Sequence, residues 1–74
     1  MIILERQPIK SRILRSMGYN EKEKILEIEF QNGLVYQFLE VPPKIWADLR
    51  KSGEIGKYFT DKVRTKFKSK QIGI

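Results

Sequence analysis

The alternation of apolar and polar positions is clearest over residues 25–40, ILEIEFQNGLVYQFLE. Leu26, Ile28 and Phe30 alternate with Glu27 and Glu29, the period of two expected of a half-buried strand whose glutamates line the solvated face. Asn32-Gly33 supplies a turn able to hold positive φ. A second run follows, with Leu34, Tyr36 and Phe38 set against Val35, Gln37 and Leu39. The turn length decides which face the aromatics take. A two-residue Asn-Gly loop would place Tyr36 and Phe38 beside Glu29 and Glu27. A three-residue loop, a type I turn closed by Gly33 as a bulge, pairs Phe30 with Leu34, Ile28 with Tyr36 and Leu26 with Phe38. The second register gathers six large apolar side chains on one face, and a slip of one residue scatters them. The bulged register is therefore the expected one.

Upstream, Ile13, Met17 and Tyr19 with Gly18 read as a less regular strand, and the polar stretch Asn20 to Lys24 as its turn into the hairpin. Three antiparallel strands are about the minimum for a stable sheet in water, and their apolar face needs a cover. Val41-Pro42-Pro43 ends the sheet, because proline cannot donate to a ladder, and Pro43 suits a first helical turn. Ile45, Trp46 and Leu49 mark a short amphipathic helix that Gly53 stops, with Trp46 a plug between helix and sheet. A second helix, starting at Ser52 or Gly53 with Glu54 in its first turn, runs through Ile55, Tyr58, Phe59 and Val63, and Phe67 continues its stripe. Gly56 reads as a close-packing position. The predicted fold is α+β: a three-stranded antiparallel sheet (β-β-β) followed by two helices packed on one face.

Length and composition bound what such a domain can do. Seventy-four residues enclose one core, so residues 1–74 are expected to form a single domain with a basic C-terminal segment, 62–74. There is no cysteine and no histidine. Disulfides, thiolate zinc sites and the commonest nucleophile and proton shuttle are thereby excluded. No enzyme, no cofactor and no metal are expected, and Gly56-Lys57 lacks the upstream glycines of a phosphate-binding loop. Met1 to Leu4 is far shorter than the roughly 20 apolar residues of a membrane span, so no membrane association and a cytoplasmic location are expected.

The formal charge of +6 points to a polyanionic partner, and its distribution says more than its size. Residues 1–19 carry +3, residues 20–41 carry −3, residues 42–61 carry +1 and residues 62–74 carry +5. The surplus sits at the two ends of the chain, which favours a binding face over an even solubilising coat. Lys62, Arg64, Lys66, Lys68 and Lys70 occupy every second position. As an extended strand they would form a row at roughly 6–7 Å spacing, comparable to successive phosphates. As a continued helix, Arg64 and Lys68 would share one side and Lys62 and Lys66 the next. A solvated basic tail is the plainer alternative. Aromatic residues interleave with these bases: Tyr58 and Phe59 beside Lys57, and Phe67 between Lys66 and Lys68. Stacking on rings combined with phosphate pairing is a common way to hold single-stranded nucleic acid, although Phe59 and Val63, at helical spacing, read as core.

The order of these features resembles the KTSC domain, a small domain found at the C-terminus of some lysyl-tRNA synthetases and alone in microbial proteins. The matching stretches are Ser11 and Ile13 leading to Ser16-Met17-Gly18-Tyr19, then Leu26 to Phe30 with Asn32-Gly33. Val35-Tyr36-Gln37-Phe38, Val41-Pro42, and Gly56-Lys57-Tyr58-Phe59 through Val63-Arg64 and Phe67 complete the match. Phe38 stands where the family has the second tyrosine of a Tyr-x-Tyr centre, so a hydroxyl is lost and a packing role survives. The resemblance implies RNA binding and no known catalytic residue. The expected function is thus a non-catalytic nucleic-acid-binding module, for RNA ahead of DNA, with transfer or ribosomal RNA, or the ribosome, as natural targets. The residues expected to make contact are Arg12, Arg15, Lys57, Tyr58, Lys62, Arg64, Lys66, Lys68 and Lys70, with Arg6 and Lys10 as further candidates. The rival expectation is a protein–protein interaction module whose basic end steers or solubilises. Neither the particular RNA nor the oligomeric state follows from the sequence.

Overall fold

The computed structural model describes residues 6–73. The apolar stretch Met1 to Leu4 lies outside the described residues. Seven elements follow one another: β1 (Gln7–Pro8), β2 (Leu14–Asn20), β3 (Ile25–Phe30), β4 (Val35–Phe38), α1 (Pro43–Lys51), α2 (Ile55–Lys62) and β5 (Ser69–Gly73). The α+β class and the two helices are as the pattern predicts. The sheet is larger: it has five strands in the order β1-β2-β3-β4-β5, every neighbouring pair antiparallel. The three predicted strands are its centre, and one short strand is added at each edge.

The hairpin adopts the bulged register. Ile28 lies opposite Tyr36 and Leu26 opposite Phe38. The Phe30 amide donates to the Leu34 carbonyl at 2.9 Å, and Gly33, at φ +90°, donates back to the Phe30 carbonyl at 2.9 Å. β2 departs from simple alternation. Its register against β3 shifts between Leu14 and Ser16, so Arg15 is an extra residue. Leu14 and Met17, three positions apart, therefore both reach the core, whereas Ile13 precedes the strand and is 40% exposed.

The core lies between the sheet and the helices. Leu14, Met17, Leu26, Ile28 and Phe38 from the strands meet Leu49, Phe59 and Val63, and Val41 closes one end. Phe59 makes edge-to-face contacts with both Phe30 and Phe38, at 5.6 and 5.3 Å. Trp46 stacks on Tyr19 at 5.5 Å as the expected plug between helix and sheet, and the Arg50 guanidinium lies 5.4 Å over its ring. Pro42 caps α1 in an extended conformation with Pro43 as its first residue, and Arg50 and Lys51 in the last turn complement the helix dipole. α2 begins at Ile55, later than the predicted start at Ser52 or Gly53. Glu54 is its N-cap, outside the first turn, and the Ser52 hydroxyl accepts the Glu54 amide at 3.1 Å.

The opposite sheet face is not the solvated one the alternating glutamates suggest. Glu27 is fully buried there. Arg6 Nη1 donates to Glu27 Oε2 at 2.7 Å and Gln37 Nε2 to Glu27 Oε1 at 3.0 Å. Glu29 is half-buried and accepts the Ser16 hydroxyl at 2.8 Å. Period two identifies the side on which a residue stands but not what covers that side. Here the Arg6 side chain reaches across it to Glu27.

Candidate nucleic-acid interface

The basic C-terminal segment is neither one strand nor one helix. Lys62 ends α2, Val63 is its buried C-cap, and residues 63–66 form a turn held by Arg64 N to Phe59 O at 2.9 Å and Lys66 N to Val63 O at 3.1 Å. The turn lets Phe67 fold back against the core, after which the chain enters the sheet edge as β5. The even row of five bases is thus broken by the need to bury Val63 and Phe67. Lys70 pairs with Gln37 and so stands on the sheet face away from the helices. Its place on an edge strand also serves to discourage edge-to-edge pairing.

The other predicted contact residues fall into separate groups. Arg15, at the bulge, is on the outer face with its guanidinium 3.9 Å from Glu29. Lys57 and Lys62 are exposed on α2, where Glu54 and Asp61 share their surface. Tyr58 is half-buried near them. Burial, followed by the charge of Asp48 and a hydrogen bond to it, raises its hydroxyl pKa. Lys66 and Lys68 are exposed in and just after the turn.

Arg12 and Arg64, from opposite ends of the chain, come together. Both line an open groove of about 540 Å³ whose other walls include Phe30, Tyr36 and Phe38. Tyr36 and Phe38 project to the helix side of the sheet, and the β4 and β5 end of that face is left as the groove. Among the described residues neither arginine is in an ion pair; the two pairs present are Arg6–Glu27 and Arg15–Glu29. Arg12 is set in place by the loop before β2. The Ser11 hydroxyl accepts the Ile13 and Leu14 amides, both at 3.2 Å, and Gln31 Nε2 donates to the Ser11 and Leu14 carbonyls at 3.0 and 2.9 Å. The loop rests on α2 at Gly56, where any Cβ would fall 2.8 Å from Ser11 Oγ. Tyr36 is among the groove residues the sequence does not mark, with Phe30, Gln31 and Asn32, since its alternation marks it as core. Only its half-buried state sets it apart from Phe38.

These features define a small α+β domain with a cationic, aromatic-lined groove beside its last helix. The chain belongs to the KTSC domain family, whose profile matches residues 10–67. It is 32% identical to a KTSC domain protein of Yersinia pestis of known crystal structure, with a TM-score of 0.89 over 96% of this chain and 100% of that one. An uncharacterised protein of Stutzerimonas stutzeri is 36% identical over 56 residues, 76% of this chain and 79% of its own. A lysine–tRNA ligase of Nostoc punctiforme is 33% identical over 60 residues, which is 81% of this chain but 11% of the ligase. Among the described residues no helix is long and apolar enough to cross a membrane.

Proposed function

We propose that this domain is a non-catalytic RNA-binding module that contacts phosphates through Arg12, Arg64, Lys66 and Lys68. The observation that carries the reading is the meeting of Arg12 and Arg64 at one aromatic-lined groove, neither held by a carboxylate among the described residues. Guanidiniums free of carboxylates are available to phosphate oxygens, with bidentate geometry. The relative within a lysine–tRNA ligase gives RNA, and tRNA first, preference over DNA. Among the described residues neither helix lines the groove, which also weighs against duplex DNA.

The test is a filter-binding titration of the purified protein with total tRNA across a range of salt. Replacing Arg64, Lys66 and Lys68 together by alanine is expected to weaken binding to all RNA sequences alike, since phosphate contacts position without specifying. Material purified at low salt should carry nucleic acid, seen as a raised 260/280 nm absorbance ratio, and lose it at high salt. A protein that instead keeps a partner protein through molar salt, and carries no RNA, would show the domain to be a protein-interaction module.

A further inference from the structure

We infer that the groove between Arg12 and Arg64 takes one unstacked nucleotide, with its base against Tyr36 and its flanking phosphates at the two guanidiniums. The inference rests on the RNA-binding reading for its ligand and goes beyond it in assigning a single-stranded element and a residue that holds the base.

Three properties of the groove lead there. Its volume of about 540 Å³ falls among small-molecule sites, which span roughly 300–1,000 Å³. That suits a single nucleotide. Its apolar surface is aromatic. Phe38, only 2% exposed, belongs to the core, but Tyr36 and Phe30 are half-buried, and their edge-to-face contact at 5.6 Å fixes the Tyr36 ring. A ring held in place offers a stacking surface without further loss of side-chain freedom.

The groove's polar groups are also fixed. Both amide hydrogens of Gln31 are committed to the Ser11 and Leu14 carbonyls, so its Oε1 is left to accept. Asn32 Oδ1 accepts the Leu34 amide at 3.0 Å, which leaves its NH₂ to donate. One oriented acceptor and one oriented donor beside an aromatic ring match the mixed edge of a nucleobase. Two cations among its lining residues match its phosphates. A purely apolar peptide would leave both arginines without counter-charge, and a paired helix would present no free base face to Tyr36.

The experiment uses the whole chain with a short single-stranded RNA carrying 2-aminopurine, and with the same bases locked in a hairpin stem. The single strand is expected to bind more tightly than the stem, and the 2-aminopurine emission to be quenched on binding. Tyr36→Phe should keep both properties. Tyr36→Leu, which retains apolar volume without a ring, should lose about tenfold or more in single-strand affinity while leaving stem binding unchanged. Thermal melting of each variant separates a folding defect from a lost contact, and quenching with the wild-type chain needs no variant. Equal affinity for strand and stem, with unchanged emission, would overturn the nucleotide site while leaving phosphate binding intact. Absence of binding to either RNA at low salt would overturn the RNA reading and this inference with it. Preferential capture of a phosphotyrosine peptide by the same groove would overturn the nucleotide assignment alone.

Discussion

Gly56 and Ser11 are in contact closely enough that no side chain fits between them. A Cβ on residue 56 would lie 2.8 Å from Ser11 Oγ and 3.2 Å from Ile13 Cγ1. Ser11 is in turn held by the Ile13 and Leu14 amides, so the hydroxyl is not a free end that can swing away. The contact ties the loop that carries Arg12 to α2, the helix that leads to Arg64.

Gly56→Ala is therefore expected to destabilise the fold by about 1–3 kcal/mol through overpacking, read by thermal or urea melting. Removing the hydroxyl with Ser11→Ala should relieve part of the clash. The double variant should then be more stable than the sum of the single effects implies, a coupling that a double-mutant cycle measures. Gly56→Ala should also weaken RNA binding by displacing Arg12.

The Arg6–Glu27 pair makes a second prediction. Glu27 has no exposed side-chain surface, and Arg6 retains 24% of its own. Arg6→Ala leaves a buried carboxylate with Gln37 as its remaining partner, and should cost about 3 kcal/mol. Adding Glu27→Gln should recover a good part of that loss in the same melting assay. Because Arg6 is committed to Glu27, its removal should leave the salt dependence of RNA binding unchanged.

Gly33 holds φ +90° at the hairpin turn, where an L side chain is strained. Gly33→Ala should cost about 1–2 kcal/mol, even though nothing lies within 4 Å of the added methyl. Chemical denaturation of the variant checks the figure. The loss arises from the backbone alone.

Tyr19 and Tyr58 both have raised hydroxyl pKa values. Burial is the larger cause in each, followed by the charge of Glu21 for Tyr19 and of Asp48 for Tyr58. A raised folded-state pKa means the native state keeps its proton longer than the unfolded chain. Their contribution is thus complete below pH 10 and is lost as pH rises through 10 and beyond. Melting temperature is expected to fall in that window, and Tyr58→Phe should flatten the fall.

The centre of this fold is legible in the chain because its cues are local. Period two from Leu26 to Phe38, with Asn32-Gly33 between, specifies a hairpin and its register, and Pro42-Pro43 specifies where the sheet gives way to a helix. The edge strands lack such cues. β1 is two exposed residues, Gln7 and Pro8, and β5, SKQIG, is polar apart from Ile72. Their pairing is imposed by the strands beside them. Leu14 escaped the pattern because a bulge at Arg15 resets the alternation, and Glu27 because an arginine covers it from outside the hairpin.

The candidate interface was legible in part for the same reason. Positive charge at both chain ends is visible in the sequence, and Arg12 and Arg64 are among the bases it marks. Their meeting depends on the Ser11–Gly56 contact and on the turn after Val63, neither of which has a periodic signature. The regular spacing from Lys62 to Lys70 suggested one continuous strip, but the chain turns within it and sends Lys70 to the other sheet face.

The measurement that tests the central claim most directly is the salt dependence of tRNA binding for the wild-type chain and for Arg12→Ala/Arg64→Ala. With Arg12, Arg64, Lys66 and Lys68 each meeting a phosphate, log affinity should fall against log salt with a slope of about −2.8 to −3.6, and the double variant should lose about 1.5 of it. A flat response, or a slope the double variant leaves unchanged, would contradict the account.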